Sequence, residues 1–396
     1  MEVPIEKEVY RLRVLLKNMF VETDYIEKVE TKMQKMTLKN ISILMIVMWF
    51  LMGCSKATDP INDDNDFDKT NLLAVYPNSG KTIYLVDKQT FLLKKTIEID
   101  LPANYSINRM CLSTKRDFFI FSISYLPTAA HFILGYNISK GKMGVIFPTG
   151  IDSIGAPRIA STENSSKPNQ VYFYSHLNGL FLFDFESHEK TKLPFKNAFS
   201  YGVEFVKSSN KEWVILKKTN PFYSDIEFYP SSKDLTSPQF VLNENNVDNI
   251  YIADIFADDL NKEAIVTCYN SDGSSIGKFY NWGIYNLETK QLKKSFETLP
   301  WSINPYYIAA CPTKREAYFV GASDTLYSVD YHNLKISSKT ILTGKNRGPS
   351  RLLISSDNKT LFVSCFDTNA VFVIDLGTMS IINKINLPGP YLLIEL

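Results

Sequence analysis

Residues 351–385 decide the fold and read RLLISSDNKTLFVSCFDTNAVFVIDLGTMSIINKI. Short runs of β-branched and aromatic residues alternate here with polar turns of Ser, Asp, Asn and Lys, which is typical of short strands. No helical period of apolar residues persists through the segment. Four strands in so short a stretch predict one small antiparallel sheet, with strands at 351–354, 361–364, 371–375 and 381–385.

The same pattern of short strands and polar turns recurs along the chain from residue 71 onward. In each unit a hydrophobic strand ends in Asp or Asn, and Thr, Ser or Asn follows three residues later. An Asp or Asn at that point accepts hydrogen bonds from the backbone two or three residues on, which reverses the chain between the third and fourth strands. The markers, 44 to 57 residues apart, are Asp87, Asp184, Asn286, Asp330 and Asp375, with looser versions at Asn137 and Tyr229.

Seven four-stranded units with a period in the forties predict an all-β, seven-bladed β-propeller over residues 71–396. The first unit offers only three strands, within residues 72–97, whereas residues 391–396 form an orphan strand at the end of the chain. We expect the C-terminal strand to join the N-terminal blade, because this pairing closes the ring and removes an exposed sheet edge.

The final unit resembles the surface-layer YVTN repeat, on the Ser-x-Asp-x-Lys turn at 355–359, the strand at 361–363 and the Val-x-Val-Ile-Asp strand at 371–375. By this likeness the chain resembles seven-bladed propellers of the YVTN and quinoprotein-amine-dehydrogenase-like superfamily. That superfamily contains binding proteins, lactonases and dehydrogenases, so the resemblance implies a fold and leaves the function open.

Composition excludes several classes of function. Hydrophobic residues make up 45% of the chain and charged residues 21%, which excludes disorder over most of its length. The 43 Lys and Arg balance 42 Asp and Glu, so no basic surplus favours nucleic acid as a partner. Five cysteines and four histidines show no metal-ligand spacing, and we expect neither a metal nor a cofactor.

An N-terminal targeting signal is predicted before the repeats. The apolar run from Ile41 to Met52 is too short to span a bilayer, and it follows Lys39 as in a secretory signal. The sequence Leu51-Met52-Gly53-Cys54 then resembles a bacterial lipobox, which implies a signal peptide at 36–53 and a lipid on Cys54. A buried core cysteine is the alternative. Lipidation makes the membrane a partner through the acyl chains.

Each of the two segments that flank this signal can be interpreted in two ways. Residues 1–35 are interpreted as an extension from a start codon placed too far upstream, or else as a real cytosolic extension or stop-transfer anchor. Residues 54–70 are polar and acidic and predict a flexible tether. Their cluster at 63–66 also resembles the acidic export signal of surface lipoproteins in Bacteroidetes-type bacteria, which implies an outer-membrane or cell-surface location.

A candidate ligand site lies where the inner strands begin, around the central channel. Aligning these strands on their following turns places Arg109, Asp254 and Arg351 at one level, with Arg158 within one residue of it. Converging guanidinium groups suit a small carboxylate or phosphate. The alternative is that an arginine pairs with a carboxylate such as Asp254 and only ties blades together.

Aromatic residues are predicted in long loops between second and third strands, where they could recognise a glycan or a protein. Packing against adjacent loops is the alternative. These residues are Tyr125, His131, Phe222, Tyr223, Phe279, Tyr280 and Trp282.

No catalytic set is evident, since the four histidines are scattered and no nucleophile elbow or phosphate loop occurs. We therefore expect a lipid-anchored, non-catalytic binding or protein-interaction scaffold, or a subunit of a surface nutrient-uptake system. The alternative is a lactonase-like or dehydrogenase-like propeller enzyme with its site at the channel mouth.

Overall fold

The computed structural model describes most of residues 71–396 and none of residues 1–70, so the predicted signal, Cys54 and tether lie outside the described residues. In several strands, among them the one that begins at Arg158, only the backbone is described. The ranges not described after residue 71 are 78–79, 102–103, 114, 126–129, 152–157, 162–169, 176–178, 186, 188, 194–201, 207–212, 220–223, 231–239, 244–249, 271–278, 299–306, 321–324, 334 and 343–350.

Within the described residues the chain forms seven four-stranded antiparallel sheets, numbered here in chain order. A single-turn 3-10 helix, Phe366–Thr368, is the helical element of the last sheet. Sheets 1 to 3 contain β1 (Leu72–Pro77), β2 (Thr82–Asp87), β3 (Leu93–Glu98); β4 (Tyr105–Leu112), β5 (Phe118–Tyr125), β6 (Ala130–Asn137), β7 (Lys142–Ile151); and β8 (Arg158–Ser161), β9 (Gln170–Ser175), β10 (Gly179–Asp184), β11 (Lys190–Lys192). Sheets 4 and 5 contain β12 (Gly202–Val206), β13 (Trp213–Thr219), β14 (Ser224–Pro230), β15 (Phe240–Asn243); and β16 (Ile250–Asp258), β17 (Glu263–Asn270), β18 (Phe279–Asn286), β19 (Gln291–Thr298). Sheets 6 and 7 contain β20 (Tyr307–Cys311), β21 (Glu316–Val320), β22 (Thr325–Asp330), β23 (Lys335–Ile341); and β24 (Arg351–Ile354), β25 (Thr360–Cys365), β26 (Ala370–Asp375), β27 (Ser380–Asn386), while β28 (Pro390–Glu395) completes sheet 1.

The sheets are arranged around an axis. The first strand of each sheet contacts the first strand of the next, in the order β28, β4, β8, β12, β16, β20, β24 and back to β28. This all-β arrangement is a β-propeller, as the repeat predicts. The part of the chain that the structure describes contains no helix long and apolar enough to cross a membrane.

The core lies between neighbouring sheets, because each sheet buries both of its faces. Tyr318 and Leu326 of sheet 6 pack with Leu352 and Phe372 of sheet 7. On the other face of sheet 7, Phe362 and its neighbours pack with the strands of sheet 1. Among the described residues, sheet 7 is therefore stabilised by burial against both of its neighbours.

The C-terminal strand joins the N-terminal blade, which confirms the predicted closure. Strand β28 pairs antiparallel with β1 from Leu73 opposite Glu395 to Pro77 opposite Pro390. The backbone N–H of Leu396 donates to the carbonyl of Leu72 at 2.9 Å, and the Leu396 side chain is buried. The chain thus ends in the sheet in which the repeats begin.

The carboxylate of Glu395 forms further bonds that stabilise this closure. One Glu395 oxygen accepts the backbone N–H of Ser356 at 2.8 Å, and the other accepts the Ser356 hydroxyl at 2.9 Å. Lys88 of sheet 1 forms an ion pair with the same carboxylate, and both side chains are only 11% exposed. Glu395 therefore links sheet 1 to the first turn of sheet 7.

The repeated turns have the predicted chemistry. Asp375 accepts the backbone N–H groups of Gly377 and Thr378 at 3.0 and 2.8 Å. The same bond to the residue three positions on is formed by Asp87, Asn137, Asp184, Asn286 and Asp330. The turn marker predicted at Tyr229 is followed by residues outside those described.

The Asp375 turn predicts a measurable pH dependence. Hydrogen bonds from Thr378 hold the pKa of Asp375 below its ordinary value. Because the pKa falls on folding, the carboxylate contributes stability above the ordinary pKa of about 3.9, and this contribution is lost as the pH falls toward the lowered value. We expect Asp375→Asn to retain stability at neutral pH, since Asn286 forms the same turn, and to lose less stability in acid. Urea unfolding across this pH range measures the free energy of unfolding of both proteins. Asp367→Asn is the control, because Asp367 is exposed and lies outside the repeated turns. If Asp375→Asn lost as much stability in acid as the wild type, the assignment would be contradicted.

Candidate ligand site

The ladder register places the predicted arginines and aspartate at equivalent backbone positions. All four lie on the first strand of their sheets, and Arg109, Asp254 and Arg351 each face a small hydroxyl residue 13 positions on, whereas Arg158 faces Tyr174 and is followed by residues outside those described. The pairs are Arg109 with Ser122, Arg158 with Tyr174, Asp254 with Thr267 and Arg351 with Ser364. The common backbone level holds for Arg109, Asp254 and Arg351, while the ligand role of these residues and of Arg158 stays a prediction.

Arg351 contacts aromatic rings on both neighbouring sheets. Its guanidinium carbon lies over the ring of Tyr307 at 4.2 Å and over the ring of Tyr391 at 4.9 Å, measured to the ring centroids. Its Nη2 donates to the Tyr391 hydroxyl at 3.2 Å. Tyr307 begins β20 and Tyr391 lies on β28, so three successive inner strands meet at this one guanidinium.

Asp254 ties sheet 5 to sheet 6 at the same level. Its Oδ2 accepts the backbone N–H of Ile308 at 2.9 Å, and its Oδ1 accepts that of Ile255 at 2.9 Å. Thr267 adds a hydrogen bond to the backbone of Asp254. Asp254 therefore joins neighbouring blades through the backbone amide of Ile308, whereas the alternative predicted from the sequence pairs it with an arginine.

Tyr307 connects the arginine and aspartate electrostatically. Burial raises the pKa of Tyr307, Arg351 opposes this increase, and Asp254 adds to it. The phenol of Tyr307 therefore stays protonated at neutral pH.

A second cluster of polar residues on sheet 2 includes Arg109. Arg109 donates to the carbonyl of Asn108 at 3.3 Å, and Asn108 donates to the Ser124 hydroxyl at 2.7 Å. Ser124 in turn lies 2.7 Å from Nδ1 of His131. Ser124 thus contacts both an amide donor and an imidazole.

The predicted loop aromatics lie in strands where they are described, so their placement in loops was wrong. His131 belongs to β6 and is buried, and Tyr125 ends β5 with its ring 4.9 Å from that of Tyr105. Tyr280 and Trp282 belong to β18, in which only the backbone is described at these positions. The physical reason is that the second and third strands of sheets 2 and 5 are eight residues long and absorb these positions. Phe222 and Tyr223 lie outside the described residues.

Sequence reasoning missed Tyr307 and Tyr391. Tyr307 occupies the level of Arg351, since it begins β20 four residues before Cys311, and this counting could have found it. Tyr391 belongs to the closing strand, so its contact with Arg351 could be found only after closure is known.

The comparisons with known proteins give the class of fold. The sequence matches no protein family and no curated protein. Dihydro-heme d1 dehydrogenase NirN is 11% identical over 86% of this chain and 78% of its own, with a TM-score of 0.54. Hydrazine synthase of Kuenenia stuttgartiensis is 14% identical over 77% of this chain and 92% of its own, with a TM-score of 0.55. Sqt1 of Saccharomyces cerevisiae is 10% identical over 81% and 84%, with a TM-score of 0.51.

At these identities the likeness extends to the fold alone. NirN and Sqt1 are β-propellers, one named as a dehydrogenase and the other not. The chain is therefore a β-propeller protein, and its function has to be argued from its own residues.

Proposed function

We propose that this protein is a lipid-anchored, seven-bladed propeller of the cell envelope, related to YVTN-type propellers, that binds a small carboxylate or phosphate at its channel mouth without catalysis. The observation that carries the proposal is the contact of Arg351 with Tyr307 and Tyr391. In this proposal Arg109 and Asp254 of the same ladder level and Arg158 of the neighbouring sheet add to the site, and Tyr280 and Trp282 of the third strand of sheet 5 contribute aromatic contacts.

The contact with two rings favours ligand binding for a geometric reason. A guanidinium carries all its N–H donors in one plane, and rings that contact its faces restrict the orientation of that plane. A donor fork held in this way loses less side-chain entropy when it binds a planar carboxylate. Arg351, Tyr307 and Tyr391, which come from three different sheets, can thus act together as one preformed anion site.

A non-catalytic role is supported by the chemistry near the site. The contacts run from Arg109 through Asn108 to the Ser124 hydroxyl and the imidazole of His131. His131 and Ser124 are also buried, which separates them from a ligand in the channel.

The enzyme alternative has one observation in its favour. Arg109 and the Ser124–His131 pair lie on one sheet beside the channel, and a histidine near an arginine is part of what a lactonase-like or dehydrogenase-like site requires. Turnover of lactones or amines by the purified protein, lost on substitution of Arg109 or Arg351, would favour this alternative over the scaffold.

The cell-envelope location rests on the sequence. The lipobox-like Leu51-Met52-Gly53-Cys54 and the acidic segment that follows favour a surface lipoprotein. A binding propeller in that place suits a nutrient-uptake system, in which it delivers its ligand to a transporter or interacts with another protein of the complex.

Arg351→Gln tests the ligand site. We expect it to weaken binding of inorganic phosphate or succinate, whichever the wild type binds, by about tenfold or more, because a charge-assisted bond of roughly 1.5–3 kcal/mol is lost. Isothermal titration calorimetry measures the affinity. Lys384→Gln is the matched control, since Lys384 also lies over an aromatic ring, that of Phe372, but on an outer strand. Equal affinity in wild type and Arg351→Gln, or equal loss in both variants, would remove the site from the proposal.

A further inference from the structure

Phe366 is an exposed aromatic residue at the same end of sheet 7 as Arg351. It directly follows β25, and Ser364, two residues before it, is the ladder partner of Arg351. Strand residues are about 3.3 Å apart and paired strands about 4.8 Å apart, so the Cα atoms of Phe366 and Arg351 lie on the order of 10 Å apart. Phe366 is 37% exposed and is the one phenylalanine among the exposed large apolar side chains of the described residues.

The beginning of the closing strand connects Phe366 to Arg351. The carbonyl of Tyr391 accepts the Ser364 hydroxyl at 3.0 Å, while the ring and hydroxyl of Tyr391 contact the guanidinium of Arg351. Gly389, two residues before Tyr391, lies against the ring of Phe366, since a Cβ at this glycine would be only 3.0 Å from Cε2 of that ring. Phe366, Tyr391 and Arg351 therefore belong to one corner between sheets 7 and 1.

Hydrogen bonds fix the short 3-10 turn that carries Phe366. The backbone N–H of Asn369 donates to the carbonyl of Phe366 at 3.1 Å. The side chain of Asn369 accepts the backbone N–H of Gly389 at 2.7 Å, and its carbonyl accepts that of Leu387 at 2.9 Å. The turn and the segment that leads to Tyr391 thus hold each other in place. An apolar ring presented in this way loses little backbone freedom when it contacts a ligand.

The charges in this corner restrict the chemistry of a ligand. Arg351 offers a planar donor fork that suits one carboxylate. Asp367, next to Phe366, is exposed and places a negative charge on that side. It would repel a second anionic group of the ligand, whereas an uncharged apolar group gains by contact with the phenyl ring.

We propose that the channel-mouth site prefers a monocarboxylate with an apolar body, and that Phe366 is the specificity-determining residue that contacts this body. The inference rests on the proposed anion site at Arg351. The carboxylate pairs with the guanidinium, and the apolar body extends past Tyr391 toward Phe366. Inorganic phosphate and short dicarboxylates have no such body, so they gain nothing from Phe366.

Calorimetric titration with two matched probes tests this preference. Propionate and 3-phenylpropionate carry the same carboxylate and differ by one phenyl ring. We expect the purified full-length protein to bind 3-phenylpropionate about tenfold or more tightly than propionate, because the added ring is buried against Phe366. Phe366→Ser should weaken binding of 3-phenylpropionate by about tenfold and leave the affinity for propionate unchanged. Phe366→Leu, which keeps an apolar side chain, should retain part of the preference.

Leu260→Ser is the matched control. Leu260 is 57% exposed but follows the inner strand of sheet 5, at the edge opposite the ligand site, so its loss should leave both affinities unchanged. Arg351→Gln should weaken binding of both probes to a similar degree, because both use the carboxylate.

The outcomes separate this inference from the proposed function. Loss of the preference in Phe366→Ser alone supports it. Equal affinity of the wild type for the two probes, equal effects of Phe366→Ser and Leu260→Ser, or binding of phosphate or succinate without either probe overturns the preference and leaves the anion site. If the wild type binds neither probe and neither phosphate nor succinate, the anion site is overturned and this inference with it.

Discussion

A chain that ends at Gly389 is expected to unfold at a much lower temperature than the full chain. The deletion removes β28, its pairing with β1 and the buried side chains of Leu393 and Leu396. Loss of two buried leucines alone lowers the free energy of unfolding by about 4 kcal/mol or more. It also exposes the inner edge of sheet 1, so we expect aggregation to accompany the loss.

Thermal and urea unfolding measure this effect. Ile381→Ala with Ile382→Ala is the matched control, because it also removes two large apolar side chains but from exposed positions on β27. We expect the control to stay within about 1 kcal/mol of the wild type. A truncated chain as stable as the control would mean that closure does not stabilise the propeller.

The second large effect is expected at Asp258, which ends the inner strand of sheet 5. Its fully buried carboxylate accepts the hydroxyl of Tyr331 at 2.5 Å and both the backbone N–H and the side-chain amide of Asn261, at 3.0 and 2.7 Å. Asn261 also donates to the carbonyl of Pro312 at 3.2 Å. These bonds join sheet 5 to sheet 6 at the edge opposite the candidate ligand site.

Asp258→Ala should lower the free energy of unfolding by about 3–5 kcal/mol, because it leaves several buried donors without an acceptor. Tyr331→Phe removes one donor and should cost about 1–2 kcal/mol. Chemical denaturation of both variants and of the double variant gives the coupling between the two residues. Strict additivity would show that the Asp258–Tyr331 bond does not join the sheets.

Much of the fold was predictable because its signals are local. An Asp or Asn that accepts a backbone N–H three residues on recurs in six of the seven units, and within the described residues all six turns have this bond. The inner-strand level of Arg109, Asp254 and Arg351 followed from counting back from a turn. The unpaired strand predicted at the C-terminus pointed to the first sheet, because that unit offered only three of its four strands.

The contacts across blades were not predictable in the same way. Tyr307 precedes Arg351 by 44 residues and Tyr391 follows it by 40, so no spacing on one strand links the three. Asp258 and Tyr331 are 73 residues apart. Loop predictions failed where strands are longer than the hydrophobic runs suggest, as at His131 and Trp282. Arg116, Lys262 and Arg315 adopt positive φ angles without the Gly or Asn that usually marks such a turn.

Hydrogen exchange of the C-terminal peptide tests the closed ring most directly, because the ring brings Tyr391 to Arg351 and the chain terminus to sheet 1. In the native full-length protein, amides of residues 391–396 should exchange as slowly as those of the central strands β25 and β26. Exchange of these amides at the rate of an unstructured peptide would contradict the closure and with it the geometry of the ligand site.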